Sequence, residues 1–492
     1  MRVPFPNPTP PEPMEAKGQH IYLIGIGGSG MSGMARLLRG RGALVSGSDA
    51  EASSATTSLQ AQGFDVHADQ TRAWLPEACD LVVASAAIKP EHPQMREAAR
   101  RGIRTLNYAQ ALGRCMAGRT GVCVAGTHGK STTTAMTGCV LTDAGLDPTV
   151  ILGATCTQLG GGFRVGAELV PTGPLAGEPG LLVAESCEFN RSFHHFYPKL
   201  AAINAVEADH LDVYGSLDAV VEAFGVFARQ IAPADEGGRL IIAHDGAHRR
   251  EVTAGVVCKV ETIGWSPAAD HHVTFDPETR RASLSYQGEH VVDWLVTVPG
   301  QHNAMNGATA AALAMLLGAQ PAAVSRSLSN FGGVDRRTQL LGTRAHRLGG
   351  TVKVYDDYGH HPTEVDATLR ALRQFERPEK HNGRLVCVFQ PHQHSRTRHL
   401  LEEFASAFSA ADVVIVPDIY FVRDSETEKQ MVSAADLVDR LRARGVIAMH
   451  LYPFDAIVEQ LENLTRPGDV LVVMGAGPVN QVGLGFLKTK PR

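Results

Sequence analysis

The run from Val122 to Thr134, VCVAGTHGKSTTT, has the residue types and spacing to hold a polyphosphate. Its apolar start, Val122 to Ala125, predicts a buried strand that breaks at Gly126 and leads into a helix near Lys130. Small residues let backbone N–H groups approach an anion, a helix N-terminus adds positive potential, and Lys130 adds a full charge. Ser131 is placed to put its hydroxyl on a Mg²⁺ bridging the phosphates. The usual phosphate loop has a glycine six positions before its lysine. That position here is Val124, so Gly126, Thr127, His128, Gly129, Lys130, Ser131 and Thr132 form a shorter cradle.

Further polar clusters follow other apolar runs. Glu185-Ser-Cys-Glu188 ends LLVAE, and Asn204-Ala-Val-Glu207-Ala-Asp209-His210 ends LAAINAV. Mg²⁺ prefers carboxylate, hydroxyl and phosphate oxygens, which makes Ser131 and Glu185 candidate ligands and His210 a second metal or phosphate contact. Asn303 and Asn306, after VTVPG, can either cap a helix or bind a purine edge. Asp356, Tyr358 and His360 follow TVKV, and Gln393 and Arg396 follow RLVCV. Arginine and histidine at such strand ends suit an anionic substrate, because Arg binds carboxylates bidentately. His392 and His394 lack a companion cysteine, so zinc is a weak reading there. Near the start, Gly25, Gly27, Gly28, Ser29, Gly30 and Met31 lie in a G-x-G-x-x-G turn, with Ser48 and Asp49 at about the distance of a ribose-binding acid. That turn is a diphosphate cradle whose nucleoside the residues leave undecided. An NAD(P)-dependent oxidoreductase would use the same turn, and a module that binds ATP without catalysis is a further alternative.

The elements that position these clusters read as strands alternating with helices in three successive blocks. Such alternation predicts parallel sheets with ligands at the carboxyl ends of the strands. The expected divisions are a Pro-rich flexible arm over 1–18, an α/β domain carrying the glycine turn over 19–118, a central α/β domain carrying the phosphate loop over 119–330 and a third α/β domain over 331–492. The chain has 492 residues, 44% hydrophobic and 20% charged, with a net charge of −5. That balance is ordinary for a globular protein and leaves no basic footprint for nucleic acid. No apolar stretch is long enough for a membrane span. Eight cysteines without a C-x-x-C pair fit a reducing cytoplasm.

In one order the chain carries GTHGKSTTT, E-x-x-E at 185–188, N-x-E-x-DH at 204–210, GQHNAMN, GGVDRR, DDYGHHPTE and HSRT. This order resembles the Mur ligase family of bacterial cell-wall synthesis over nearly the whole chain from residue 20. The resemblance implies three α/β domains: a Rossmann-like UDP-binding domain, a central ATPase and a C-terminal Rossmann-like domain. It implies ATP and Mg²⁺, with UDP-N-acetylmuramate and L-alanine as substrates joined through an acyl phosphate. It assigns Lys130 to the γ-phosphate, Ser131 and Glu185 to Mg²⁺, and His210 to a second Mg²⁺. Asn303, Asn306, Arg336 and Asp356 fall on the nucleotide side, and Tyr358, His360 and Arg396 on the amino-acid side. The glycine turn from Gly25 to Met31 with Ser48 and Asp49 matches the UDP-sugar site. The chain departs from the pattern at Cys187, Asn190, Gln393 and the run Ile419-Tyr420-Phe421-Val422-Arg423. These changes keep glycine and L-serine open beside L-alanine, and a ligase of the same family that accepts a ready-made tripeptide is the nearest rival. The resemblance says nothing of oligomeric state.

Overall fold

The computed structural model describes residues 9–422 and 424–489, arranged around three sheets. The first has five parallel strands in the spatial order Asp65–His67, Leu44–Ser48, His20–Ile24, Leu81–Ala84 and Arg104–Asn107. The strand order reverses at His20–Ile24, so the glycine turn that follows it opens at the topological switch point.

The second sheet has ten strands. Thr120–Ala125 lies between Leu200–Ile203 and Leu181–Glu185, both parallel to it, with Val124 opposite Glu185 and Ala125 opposite Ile203. This register brings the phosphate loop, Glu185 and Asn204 out at one edge. All six residues of Thr120–Ala125 are buried, as a strand covered on both faces requires. The helix Lys130–Asp143 is also buried along most of its length. Its threonines satisfy themselves: Thr134, Thr137 and Thr142 each donate to a carbonyl one turn back at 2.8 Å.

The third sheet has six strands, with Val470–Met474 between Thr351–Asp357 and Leu385–Phe389. Met474 is the register partner of both Asp357 and Phe389, so the segments bearing Tyr358, His392 and Gly475 emerge side by side.

The first sheet is wholly parallel, as expected, but the second and third are mixed. His271–Asp276, Arg281–Tyr286 and Glu289–Leu295 form an antiparallel meander at one edge of the central sheet. Gly161–Arg164 pairs antiparallel with Thr149–Cys156, and Gln339–Ala345 with Thr351–Asp357. The strand expected over 200–206 stops at Ile203, where the backbone turns into the loop that meets Gly126. The N-terminal arm is partly anchored: Met14 N–H donates to Arg114 at 2.9 Å and Ala16 is buried. Residues 1–8 of that arm lie outside the described residues.

Within the central sheet Glu261 is a buried carboxylate on Lys259–Gly264. It meets Arg239 and Lys259 at 2.7 Å and His271 at 3.0 Å. Burial pushes its carboxyl up, but His271 and Lys259 outweigh that and hold it at about 2. A depressed folded pKa contributes stability above the unfolded value of 4.5 and loses it as pH falls toward 2. Glu261→Gln is therefore expected to cost roughly 1–3 kcal/mol at pH 7. Urea unfolding at pH 7 and pH 3 checks this, since the gap between variant and parent should narrow in acid.

Candidate active site

The phosphate loop is shaped by two glycines in conformations that side chains resist. Gly126 has φ 133° and Gly129 φ 77°. A Cβ on Gly129 would lie 2.5 Å from Asn306 Oδ1 and 2.8 Å from Asn204 Nδ2. The backbone thus passes too close to Asn306 and Asn204 to carry a side chain at this position. Gly129→Ala adds that clash to a left-handed cost of about 1–2 kcal/mol. It is expected to weaken nucleotide binding at least about tenfold, measured by titration with a fluorescent ATP analogue; unchanged affinity would refute this role for the loop.

Lys130 stands at the start of its helix with its side chain 13% exposed. Its ammonium donates to Gly126 O at 2.6 Å and Thr127 O at 3.1 Å, and pairs with Glu188 at 2.9 Å. Burial opposes its charge, but Glu188 more than offsets this and raises its pKa. Asn303 and Asn306 sit inside the helix Gln301–Leu316, whose N-cap is Gly300, so neither caps it. Asn303 donates to Pro299 O at 2.7 Å, and Asn306 links Asn303 to Thr133. They line a cleft of about 1180 Å³ with Thr127, Gly129, Lys130, Ser131 and Thr132. Trp265, Arg337 and Thr368 complete it.

A second cleft of about 1250 Å³ shares Thr127, Lys130 and Ser131. Ser131 Oγ donates to Glu185 Oε1 at 2.9 Å, and Gly153 N–H fixes the other oxygen at 2.7 Å. The donor set of a hydroxyl beside a carboxylate at a phosphate loop fits a hard divalent cation. His210 does not join that pair. It lies with Glu188 and Asp209, the ligand atoms of all three within 4.8 Å of one another. The residues expected to hold metal are therefore divided between two groups in one cleft. His210 is kept below its usual pKa chiefly by burial, which leaves a lone pair available to a cation.

The opposite wall comes from the third sheet. Tyr358, His360, His392 and Arg396 line this cleft together with Arg336 and Arg337. Arg396 reaches across to the central domain, donating to Asp209 Oδ1 from Nε at 3.2 Å and from a terminal nitrogen at 2.8 Å. Burial pushes Asp209 up, but the Arg396 guanidinium outweighs it and holds the carboxyl well below its usual range. His360 is pushed down to about 4 by burial and is neutral at pH 7. Arg336 lies 3.3 Å from Asp356 and donates to the carbonyls of Gly475 and Gly477. Asp356 itself is pushed up to about 6, mainly by burial, and lines neither cleft. Gln393 lines a smaller adjoining pocket and not this cleft, with its amide 3.5 Å from Val422 O. His394 meets Asp424 at 3.3 Å, so the two histidines flanking Gln393 do not converge. Arg423 lies outside the described residues.

At the N-terminal turn, Asp49 accepts from Gly27 N–H at 2.7 Å, which ties the turn to the end of the second strand. Gly30 leaves room for Tyr108, whose ring atoms would lie 2.6 Å from a Cβ there. Gly25, Gly28 and Ser29 complete the turn before the helix Ser29–Gly40. Met31 and Ser48 turn inward instead. Met31 belongs to the core, and Ser48 Oγ donates to Gln94 at 2.7 Å with its backbone oxygen accepting from Gly25 and Ile26. Their side chains brace the turn and present nothing to a ligand.

Comparison with known proteins matches this architecture segment by segment. Family models for the Mur ligase family catalytic domain, the Mur ligase middle domain and the Mur ligase glutamate ligase domain match residues 20–120, 124–314 and 336–477. A UDP-N-acetylmuramate–L-alanine ligase from Acetivibrio thermocellus is 35% identical over 480 residues, covering 96% of this chain and 97% of its own. The chain belongs to the Mur ligase family. The crystal structure of the UDP-N-acetylmuramate–alanine ligase from Thermotoga maritima superposes with a TM-score of 0.72 at 25% identity, covering 95% of this chain and 98% of that one. A murein peptide ligase from Psychrobacter arcticus shares the fold with a TM-score of 0.68 at 24% identity, covering 96% and 98%.

In this Mur ligase the sequence reading omitted Glu188, Asp209 and Arg337 from the site. Glu188 and Asp209 stood beside Glu185 and His210 in motifs already noted, but nothing in their spacing told which carboxylate would face Lys130 or Arg396. Trp265 directly follows the strand Lys259–Gly264 and carries no motif. Its place in the cleft lined by Asn303 and Asn306 is visible only in the folded chain.

Proposed function

We propose that the protein joins L-alanine to the lactyl carboxylate of UDP-N-acetylmuramate with cleavage of ATP, in peptidoglycan precursor synthesis. One observation carries this reading. The phosphate-loop ammonium, the carboxylates of Glu185, Glu188 and Asp209, and the Arg396–His360–Tyr358 wall of another domain face a single cleft. Sequence likeness to L-alanine ligases over nearly the full chain supports the same choice.

A carboxylate is a poor electrophile. Its oxygen attacks the γ-phosphorus of ATP, ADP leaves, and the acyl phosphate then takes the amine at its carbonyl carbon with release of phosphate. Phosphoryl transfer needs charge stabilisation and alignment more than covalent help from protein. The loop amides from Gly126 to Ser131 hold the phosphates, and Lys130 shifts its charge from Glu188 to the transferring group. Asn303 and Asn306 position the nucleotide from their helix. The turn from Gly25 to Gly30, tied by Asp49, binds the UDP diphosphate. Ser131 and Glu185, and separately Glu188, Asp209 and His210, would hold Mg²⁺, which neutralises phosphate oxygens when bound. Arg396 sits where the carboxylate of the amino acid would dock, and neutral His360 adds no positive charge beside the incoming amine. Free buried thiols at seven of eight cysteines support a cytoplasmic setting.

The decisive experiment measures phosphate release with ATP, Mg²⁺ and UDP-N-acetylmuramate, adding L-alanine, glycine, L-serine or the tripeptide separately. Release dependent on L-alanine supports the proposal. Release only with the tripeptide would replace it with the recycling activity, and no release with any acceptor would end it.

A further inference from the structure

At the seam between the central and C-terminal domains, three metal-ligating side chains converge outside the two groups described above. His128 and Glu207 come from the central domain and His361 from the DDYGHHPTE segment, with ligand atoms within 4.8 Å of one another. His128 Nε2 and Glu207 Oε2 are 3.5 Å apart. Metal–ligand bonds of 2.0–2.2 Å in a tetrahedral site place ligand atoms about 3.3–3.6 Å apart, so this pair is already at chelating separation.

The surroundings favour ligation. His128 Nδ1 lies 3.1 Å from Glu364 Oε1. A carboxylate on the far nitrogen fixes the tautomer that aims an Nε2 lone pair inward, as in carboxylate–histidine–metal arrangements. Burial pushes the His128 imidazole down, but Glu207 and Glu364 outweigh it and raise its pKa to about 9. A divalent cation takes the place of the Nε2 proton that otherwise faces the Glu207 carboxylate. His361 is buried, and its two nitrogens make only long contacts, 3.3 Å to Thr363 N and 3.3 Å to Ala208 O. Turning one of them onto an ion breaks no strong bond.

We propose that His128, Glu207 and His361 form a binding site for a divalent first-row transition ion of the Zn²⁺, Co²⁺ or Ni²⁺ class, bridging the central and C-terminal domains. Two imidazoles and one carboxylate suit such ions and not Mg²⁺, which takes oxygen ligands. With ligands on both domains, the ion holds the seam shut. Occupancy therefore inhibits any turnover that requires the domains to part.

The test is a Co²⁺ titration of the full chain under excess Mg²⁺, followed by visible absorption, and it rests on no ligase activity. Saturable d–d bands of a four- or five-coordinate site, displaced by Zn²⁺, are expected. Glu207→Gln and His361→Gln, one from each domain, should each weaken binding at least about tenfold, and Glu364→Gln, which spares all three ligands, about tenfold. Thermal unfolding in chelator confirms that each variant is folded, and the variants on separate domains keep the test decisive if one is not. Absence of bands in the parent protein overturns the proposal. So do bands that survive both ligand substitutions, since the ion would then sit at Glu188, Asp209 and His210.

Discussion

Lys130→Ala is expected to lower amino-acid-dependent phosphate release by about 10²–10³-fold while binding of UDP-N-acetylmuramate persists. The ammonium is a charged donor inside the phosphate loop, and its partners are two loop carbonyls and Glu188. Removing it leaves the Glu188 carboxylate buried beside Asp209 without its nearest cation. Breaking a buried pair in this way costs about 3–5 kcal/mol, so part of any loss could come from the fold. The double variant Lys130→Ala with Glu188→Gln separates the two. Neutralising the carboxylate should recover stability in thermal unfolding and leave turnover abolished. Recovery of turnover in the double variant would mean that Lys130 acts only by balancing Glu188. Calorimetric titration with UDP-N-acetylmuramate should be unchanged within about twofold, because the Gly25–Gly30 turn belongs to a different sheet and distant sites behave independently. Loss of that binding would contradict the assignment of the two substrates to separate domains.

How much of this site is legible before folding depends on what each residue needs from its neighbours. The phosphate loop is readable because its chemistry is local: a strand, two glycines, a lysine and a helix start lie within one short run. Glu185 and His210 are readable as candidates because strand ends in α/β sheets face ligands. The division of the metal candidates is not, since it depends on which strand neighbours Thr120–Ala125. Asn303 and Asn306 looked equally suited to capping because an asparagine after glycine has that local option; the helix starts two residues earlier and removes it. Ser48 and Met31 match a motif by position, yet the alternation of the strand and the helix face turn them into the core. The antiparallel meander was missed because its strands carry as many polar as apolar residues, as an edge with one solvated face does. The domain seam is the least legible part. Glu207, Asp209 and Glu364 are charged residues that look like solvated groups until two domains close over them.

Arg396→Ala should reduce kcat/KM for L-alanine by about 10²–10³-fold, the equivalent of roughly 3–4 kcal/mol, within the range for a broken buried pair. The side chains of Arg396 and Asp209 are 7% and 8% exposed, so water recovers little of the lost interaction. Two guanidinium nitrogens go to Asp209, and a third lies 3.2 Å from His392 Nδ1. Arg396 therefore joins the C-terminal domain to the loop carrying His210. Its loss removes a donor from the cleft and also loosens the closed arrangement that aligns amine and acyl phosphate. Arg396→Lys should rescue little, since a single ammonium cannot reproduce the fork. A double-mutant cycle with Asp209→Asn distinguishes the two roles. A clamp acting through Asp209 predicts strong non-additivity, with Arg396→Ala costing little more once Asp209 is neutral. Additive effects would assign Arg396 to the substrate alone. The clamp should also be insensitive to pH across the neutral range. Asp209 is depressed below 3.8 in the fold, so its contribution is complete above that value and is lost only as pH falls through the lower folded pKa. A loss of coupling between pH 6 and 8 would therefore point away from the carboxylate and toward a histidine of the same seam.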